Sequence, residues 1–300
     1  MRKFVLFLLA ALPAAFLLSG CKTVRAEGPT LKIPPAKPHL DQAKHSLKNK
    51  KDAAATLPPV LGGLVSSDSW VIYKDKQQEE FKGNVSYDNG VYAFRSDYAL
   101  SERAQSRFSA SGNVYLKQVE PNGPVYQAYA DRARYNYKTQ KGELRADKGK
   151  KIRLIYTDGK QEPVTAYARK ASFNLADEIF VLEGDVRVER PTPEGLQTLT
   201  AQKATLQQAK NHLVLEGGAA LADPQRTLQA QTIVYDGNNN QSYAYGARPL
   251  LSGQSEQGTF AIIADKVQSD NEGRRVVLDG KVQGWVVSPR LNDSAINDKF

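Results

Sequence analysis

A sixteen-residue offset recurs seven times along this chain, linking a small residue that opens a motif to the residue that closes it, a glycine in six of the seven copies. Ala168-Arg-Lys-Ala171 leads to Gly184, which sits in Val181-Leu-Glu-Gly184-Asp-Val186. Ala201-Gln-Lys-Ala204 leads to Gly217, Ala230-Gln-Thr-Ile233 to Gly246, and Ala264-Asp-Lys-Val267 to Gly280. Ser96-Asp-Tyr-Ala99 leads to Gly112 and Ser67-Asp-Ser-Trp70 to Gly83. Ala130-Asp-Arg-Ala133 leads to Ala146, so that copy is degenerate. A fixed period of this kind marks an architecture in which each unit buries its apolar face against its neighbours.

Each copy divides into two strands joined by a turn. Breaker residues mark the turns: Asp88-Asn89-Gly90, Asp236-Gly237-Asn238-Asn239-Asn240 and Ser269-Asp270-Asn271-Glu272-Gly273. Along the second strand Phe180, Leu182, Gly184, Val186 and Val188 fall on one face, and Val181, Glu183, Asp185, Arg187 and Glu189 on the other. Leu213, Leu215, Gly217, Ala219 and Leu221 repeat the apolar face. Period-two alternation specifies a sheet with one buried and one wet side. A glycine in the middle of the apolar face specifies a bend or bulge. The first strand shifts phase between Ala168 and Ala171, which predicts a second kink. The expectation is an all-β chain of about seven two-stranded repeats, roughly fourteen short antiparallel strands folded over into a trough.

Composition locates the charge. The formal charge of +9 concentrates before residue 63, where residues 22–62 hold eight Lys or Arg against three acids. Residues 63–300 hold 31 basic and 29 acidic residues, so the repeat region carries no nucleic-acid signature. Residues 21–62 also hold Pro29, Pro34, Pro35, Pro38, Pro58 and Pro59 and few large apolar residues, the composition of an extended tether. Basic residues near an anionic headgroup layer gain about 1 kcal/mol each, so a membrane surface accounts for the excess.

The N-terminus agrees. Arg2 and Lys3 precede an apolar run from Phe4 to Leu18, and Leu18-Ser19-Gly20-Cys21 resembles the lipobox of bacterial lipoproteins. The seventeen residues from Phe4 to Gly20, with Pro13 inside, are short for a spanning helix, which needs about 20. A retained anchor helix and an ordinary signal peptide are the competing readings. Residues 1–20 are therefore expected to be a lipoprotein signal peptide and Cys21 the lipidated residue. Cys21 is also the only cysteine, so no internal disulfide can brace the fold. Lys22 stands where aspartate signals inner-membrane retention in some bacteria, which favours the outer membrane.

The Gly-Asn-Val steps at 83–85 and 112–114, the Ala-Asp starts at 130–131 and 264–265, and the repeat length resemble the OstA-like domain. That domain is shared by the lipopolysaccharide-transport proteins LptA and LptC and the N-terminal part of LptD. The resemblance spans residues 63–288 and leaves 289–300 as a polar tail. It implies a twisted, open β-jellyroll in the periplasm whose interior carries acyl chains while the sugar head stays outside. Lipopolysaccharide or a related glycolipid would be the cargo, and end-to-end strand pairing would join the chain to other jellyroll proteins. Phe180, Leu182, Val186, Leu213, Leu215, Val276, Leu278 and Val282 would line the trough. Gly83, Gly112, Gly184, Gly217, Gly246 and Gly280 would keep it wide at the bends. LptA-like proteins are normally free in the periplasm and LptC-like ones typically carry a transmembrane helix, whereas here a lipid anchor and tether stand in place of both.

Two other function classes compete. An enzyme on an extended β-scaffold needs clustered carboxylates or basic residues in a groove. Glu183, Glu216 and Asp279 recur just before the glycines, but strand parity points them outward. The three histidines, His39, His45 and His212, form no ligand set, and no metal or cofactor is expected. The alternative to transport is a structural or adhesive envelope lipoprotein without lipid cargo.

Overall fold

The computed structural model describes residues 63–287, apart from 121–122, 158, 160–161, 193–194, 240, 256–257 and 271–274. The signal peptide, Cys21, the tether and the C-terminal tail lie outside the described residues. In chain order the strands are β1 (Leu64–Ser66), β2 (Ser69–Tyr73), β3 (Gln78–Asp88), β4 (Tyr92–Glu102), β5 (Arg107–Val119), β6 (Val125–Asn136) and β7 (Lys141–Arg145). They continue as β8 (Ile152–Thr157), β9 (Val164–Ala168), β10 (Lys170–Asn174), β11 (Ile179–Thr192), β12 (Gly195–Gln207), β13 (His212–Ala222) and β14 (Arg226–Asp236). The last six are β15 (Gln241–Tyr245), β16 (Leu250–Ser255), β17 (Gly258–Ile263), β18 (Lys266–Asp270), β19 (Val276–Asp279) and β20 (Gln283–Val287). All pair antiparallel in one continuous sheet. No helix among the described residues is long and apolar enough to cross a membrane.

The chain crosses this sheet in fourteen passes, two per repeat. Eight of them, β3 to β6 and β11 to β14, run unbroken for 11 to 14 residues. The other six are split at their middle into β1/β2, β7/β8, β9/β10, β15/β16, β17/β18 and β19/β20. The expected short strands are thus halves of long bent ones. Each pass gives one half to each of two walls. β7, β10, β15 and β18 extend the first wall through ladders with the adjoining halves of β6, β11 and β14. β8, β9, β16 and β17 extend the second. The walls join only through the bent chain itself. Along the opposite edge no ladder connects them among the described residues, so the sheet is an elongated, open β-jellyroll.

The bend is a β-bulge repeated at one level. In β3 against β4, pairing steps from Lys82–Tyr98 to Val85–Ser96, so Gly83 and Asn84 oppose Asp97 alone. In β11 against β12 it steps from Glu183–Lys203 to Val186–Ala201, leaving Gly184 and Asp185 opposite Gln202. One extra residue turns the strand while the ladder resumes on either side. Both bulge residues are left-handed: Gly83 and Asn84 at φ 71° and 47°, Gly184 and Asp185 at 81° and 49°. Glycine adopts that region without penalty and Asn or Asp tolerates it. The expected phase shift also lies here. Ala168 and Ala171 are both fully buried although three residues apart.

The degenerate copy turns the corner without the bulge glycine. Ala146 does not take the left-handed conformation, the strand breaks after Arg145, and residues 146–151 form a loop before β8. Gly149 supplies the positive φ instead, at 84°. The Asp147 amide anchors the loop by donating to Asp131 Oδ2 at 2.7 Å.

Candidate functional site

The space between the walls is the candidate site, and its two halves differ. In the first half, interior positions carry aromatic rings. Phe94 and Phe108 pack edge to face across the gap at 5.4 Å, and Tyr135 stacks on Phe173 at 6.0 Å along the first wall, over Gly142. Phe81, Leu144, Ile152 and Leu154 are completely buried. Tyrosines occupy the open edge of this half. Tyr126 and Tyr156 lie 5.4 Å apart with Val164 beside them on the second wall. Tyr137 packs against Tyr135 on the first. Burial pushes the Tyr126 and Tyr137 hydroxyls well above the ordinary phenol range, so both are neutral at any physiological pH. This half is filled by its own side chains.

The second half, from β11 onward, is aliphatic and less complete. Leu182, Val188, Leu199, Leu213, Leu221, Leu228, Val276 and Leu278 face the core but stay partly accessible. Alanines occupy the corner level, with Ala201, Ala219, Ala230, Ala244 and Ala264 all buried. Small residues at the vertex and leucines along the walls leave a groove open toward the edge.

The residues expected to line the trough distribute accordingly. Val186 and Leu215 are 1% and 2% exposed and belong to the packed corner. Phe180 is buried as well, but four residues before the bulge, on the first wall. Leu182, Leu213, Val276 and Leu278 lie half-buried on the groove walls. Val282 departs from the expectation. It follows the last bulge in the position of Val186 but is 49% exposed, because no further strand covers it among the described residues.

The glycines also act differently from the expectation. A Cβ on Gly83 would stand 2.2 Å from Asp68 Oδ2, and one on Gly184 would stand 2.9 Å from Arg169 Cβ. Asp68 and Arg169 are exposed, so the glycines make room for side chains on the outside of the corner and do not widen the trough. Those covering residues pair with the second bulge residue. Asn84 Nδ2 donates to Asp68 Oδ2 at 3.0 Å, Asn113 Nδ2 to Asp97 at 2.9 Å, and Arg169 Nε to Asp185 at 3.0 Å. The Arg169 guanidinium and then the Gln202 amide hold the Asp185 carboxyl below the usual carboxylate range. Glu183 and Glu216 point outward as parity predicted, toward Lys170 at 3.0 Å and Lys203 at 3.5 Å.

Both ends of the sheet are open and apolar. Residues 69–73 of β2 and 283–287 of β20 are exposed throughout, with Ile72 at 58%, Trp285 at 58% and Val286 at 67%. The seam tyrosines and Trp70 and Trp285 were not singled out by sequence. Strand parity and position at the terminal rungs are the signals that identify them. Among the described residues no group of three or more His, Cys, Asp or Glu could hold a metal ion.

Comparison with known proteins places this geometry in a family. The model of LptC-related lipopolysaccharide-assembly proteins matches residues 111–285. The model of LptA and the LptD N-terminal domain, described as a lipopolysaccharide transport protein, matches residues 64–152. Both descriptions are of assembly and transport, not of catalysis. The crystal structure of LptH from Pseudomonas aeruginosa, the LptA-homologous periplasmic component of a lipopolysaccharide transport device, is 18% identical. That match covers 41% of this chain and 82% of LptH, with a TM-score of 0.33. No curated protein matches. Since the LptC-related model takes in more than half of its residues, the chain belongs to the LptC-related lipopolysaccharide-assembly family.

Proposed function

We infer that this protein is a periplasmic, lipid-anchored carrier that shields the acyl chains of lipopolysaccharide or a related glycolipid in the groove of residues 179–287. The observation that carries this reading is the contrast between the two halves. The first half packs buried aromatic rings, whereas the second presents half-buried leucines on both walls beside an open edge. Each CH₂ withdrawn from water contributes about 0.8 kcal/mol, so acyl chains would complete the burial that those leucines begin. A trough closed at the corner and open at the edge shields tails without engulfing a sugar head. Family membership supports the same cargo.

Cys21, lipidated, and the basic tether would hold the trough near a membrane, with the outer membrane favoured. The terminal strands β2 and β20, whose outer edges carry no ladder among the described residues, would add to other jellyroll proteins end to end, as open edges do.

The test places a photocrosslinking residue at Leu182, Leu228 or Glu183 in the full chain, in cells making labelled lipopolysaccharide. Label at Leu182 and Leu228 but not at Glu183 is the expected result. Equal label on both faces removes the trough reading, and label on neither returns the chain to a structural envelope lipoprotein.

A further inference from the structure

The outer surface of the second wall carries a ladder of arginines and tyrosines that the trough does not use. Arg95 pairs across the sheet with Tyr115, Tyr115 with Tyr129, Tyr129 with Arg153, Arg153 with Tyr167, and Tyr167 with Arg187. Each lies between inward-facing neighbours, as Arg153 does between the fully buried Ile152 and Leu154, so all point outward. The Arg95 guanidinium sits 5.8 Å from the Tyr115 ring and that of Arg153 4.4 Å from the Tyr129 ring, with the two rings 5.1 Å apart. Among the described residues neither guanidinium makes an ion pair or a side-chain hydrogen bond. Stacking fixes the plane of a guanidinium without consuming its N–H donors. Two forks are therefore held in place with their edges open.

Arg95, Tyr115 and Tyr129 line an outer cavity of about 790 Å³, within the usual range for ligand sites, and Arg153 stands just beyond that lining, over the Tyr129 ring. This is also where the repeat departs from its pattern. The loop that replaces the missing glycine, residues 146–151, brings Lys150 and Lys151 to the rim. The two carboxylates there are engaged, Asp97 by Asn113 at 2.9 Å and Asp131 by the Asp147 amide and by Lys150 at 3.0 Å. Asn84, Ser86 and the tyrosine hydroxyls line the remainder, and the Tyr115 hydroxyl, which accepts from Gln127 at 3.0 Å, keeps its own proton to donate.

We propose that this outer groove is a second binding site, for an anionic oligosaccharide bearing phosphate or carboxylate groups. Planar guanidinium forks match those oxyanions bidentately. Three ladder steps separate Arg95 from Arg153, about 14 Å at the ordinary strand spacing, so a ligand touching both is longer than one sugar ring. The hydroxyl-rich and amide-rich floor between them suits sugar hydroxyls. A nucleic acid fits poorly, because bases need bare aromatic faces and the guanidiniums and neighbouring rings already cover these. The concave floor favours a discrete ligand over a flat bilayer.

Calorimetry on the full chain in detergent micelles tests this with three soluble probes: lipopolysaccharide stripped of all acyl chains, a disaccharide-peptide fragment of peptidoglycan, and a neutral maltooligosaccharide. One or both anionic probes should bind and the neutral one should not, and which anionic probe binds identifies the source of the ligand. Arg95→Gln and Arg153→Gln should each weaken binding about tenfold, the loss of a charge-assisted contact, with Arg153→Lys recovering part of it. Arg134→Gln, exposed on the first wall, should change nothing. Absence of saccharide binding, equal binding of the neutral probe, or indifference to both arginine substitutions overturns the proposal. So does binding confined to phosphatidylglycerol vesicles and not competed by saccharide. Acyl-stripped probes cannot occupy the trough, so failure here leaves photolabelling at Leu182 intact and the two readings fail separately.

Discussion

Gln202 lies directly over Gly217: a Cβ on that glycine would stand 2.7 Å from the Gln202 Cβ. Gly218, next in the chain, has nearly the same backbone, φ 79° against 84°, yet nothing within 4 Å of its would-be Cβ. The pair separates the two reasons for glycine at the corner. Gly218→Ala should cost only the left-handed strain, about 1–2 kcal/mol. Gly217→Ala should cost that and the clash with a neighbouring strand, about 3 kcal/mol or more. Urea denaturation of both variants checks the order, and equal losses would remove the outer-corner account.

The half-filled groove predicts unequal costs for equal truncations. Leu215 is packed on all sides, so Leu215→Ala should lose about 2–5 kcal/mol. Leu228 borders the open groove and already lacks partners on one side. Leu228→Ala should lose only about 1 kcal/mol while weakening binding of an acylated ligand more than Leu215→Ala does. Denaturation and lipid titration on the same two proteins measure the split.

Acid should loosen the corner. The Asp147 amide donates to the Asp131 carboxylate, and Arg169 and Gln202 donate to that of Asp185; both carboxyls are held below their ordinary value. Groups lowered by folding stabilise fully above the unfolded value, about 3.9, and lose that contribution as pH falls through the folded value. Stability should therefore decline as pH drops below about 4, with the unfolded chain taking up protons that the folded chain refuses. Asp131→Asn should flatten part of this slope, measured as denaturation free energy against pH.

The terminal strands predict a separable association phenotype. Val286→Lys on β20 and Ile72→Lys on β2 place a charge on edges that are exposed throughout. Each should leave monomer stability within about 0.5 kcal/mol and abolish capture of a partner jellyroll by a crosslinker at Trp285 or Trp70. Retained capture in both variants would place the contact elsewhere.

The architecture was legible in the sequence because it is a matter of local period. Gly184 and Gly217 mark the bulges, the Ala168 to Ala171 step marks the opposing kink, and fourteen passes follow from seven copies. Two features were not legible, for one physical reason. That β11 to β14 run unbroken through the bend depends on ladder hydrogen bonds resuming beyond the bulge, which residue types do not encode. The meeting of Arg95, Tyr115, Tyr129 and Arg153 depends on cross-strand register, since these residues stand 20, 14 and 24 positions apart. The exposure of Val282 belongs with these: its chemistry matches that of Val186, and only its place on the last rung distinguishes it.

Because every pass bends through the corner and contributes to both walls, neither wall can grow without the other. A single added pass would reverse the chain direction at the end of the sheet, whereas two restore it. The length of such a conduit is therefore quantised, in steps of about 10 Å set by two strand spacings. Duplication or loss of one repeat could refit the molecule to a wider or narrower gap while its cross-section and both terminal edges stay as they are.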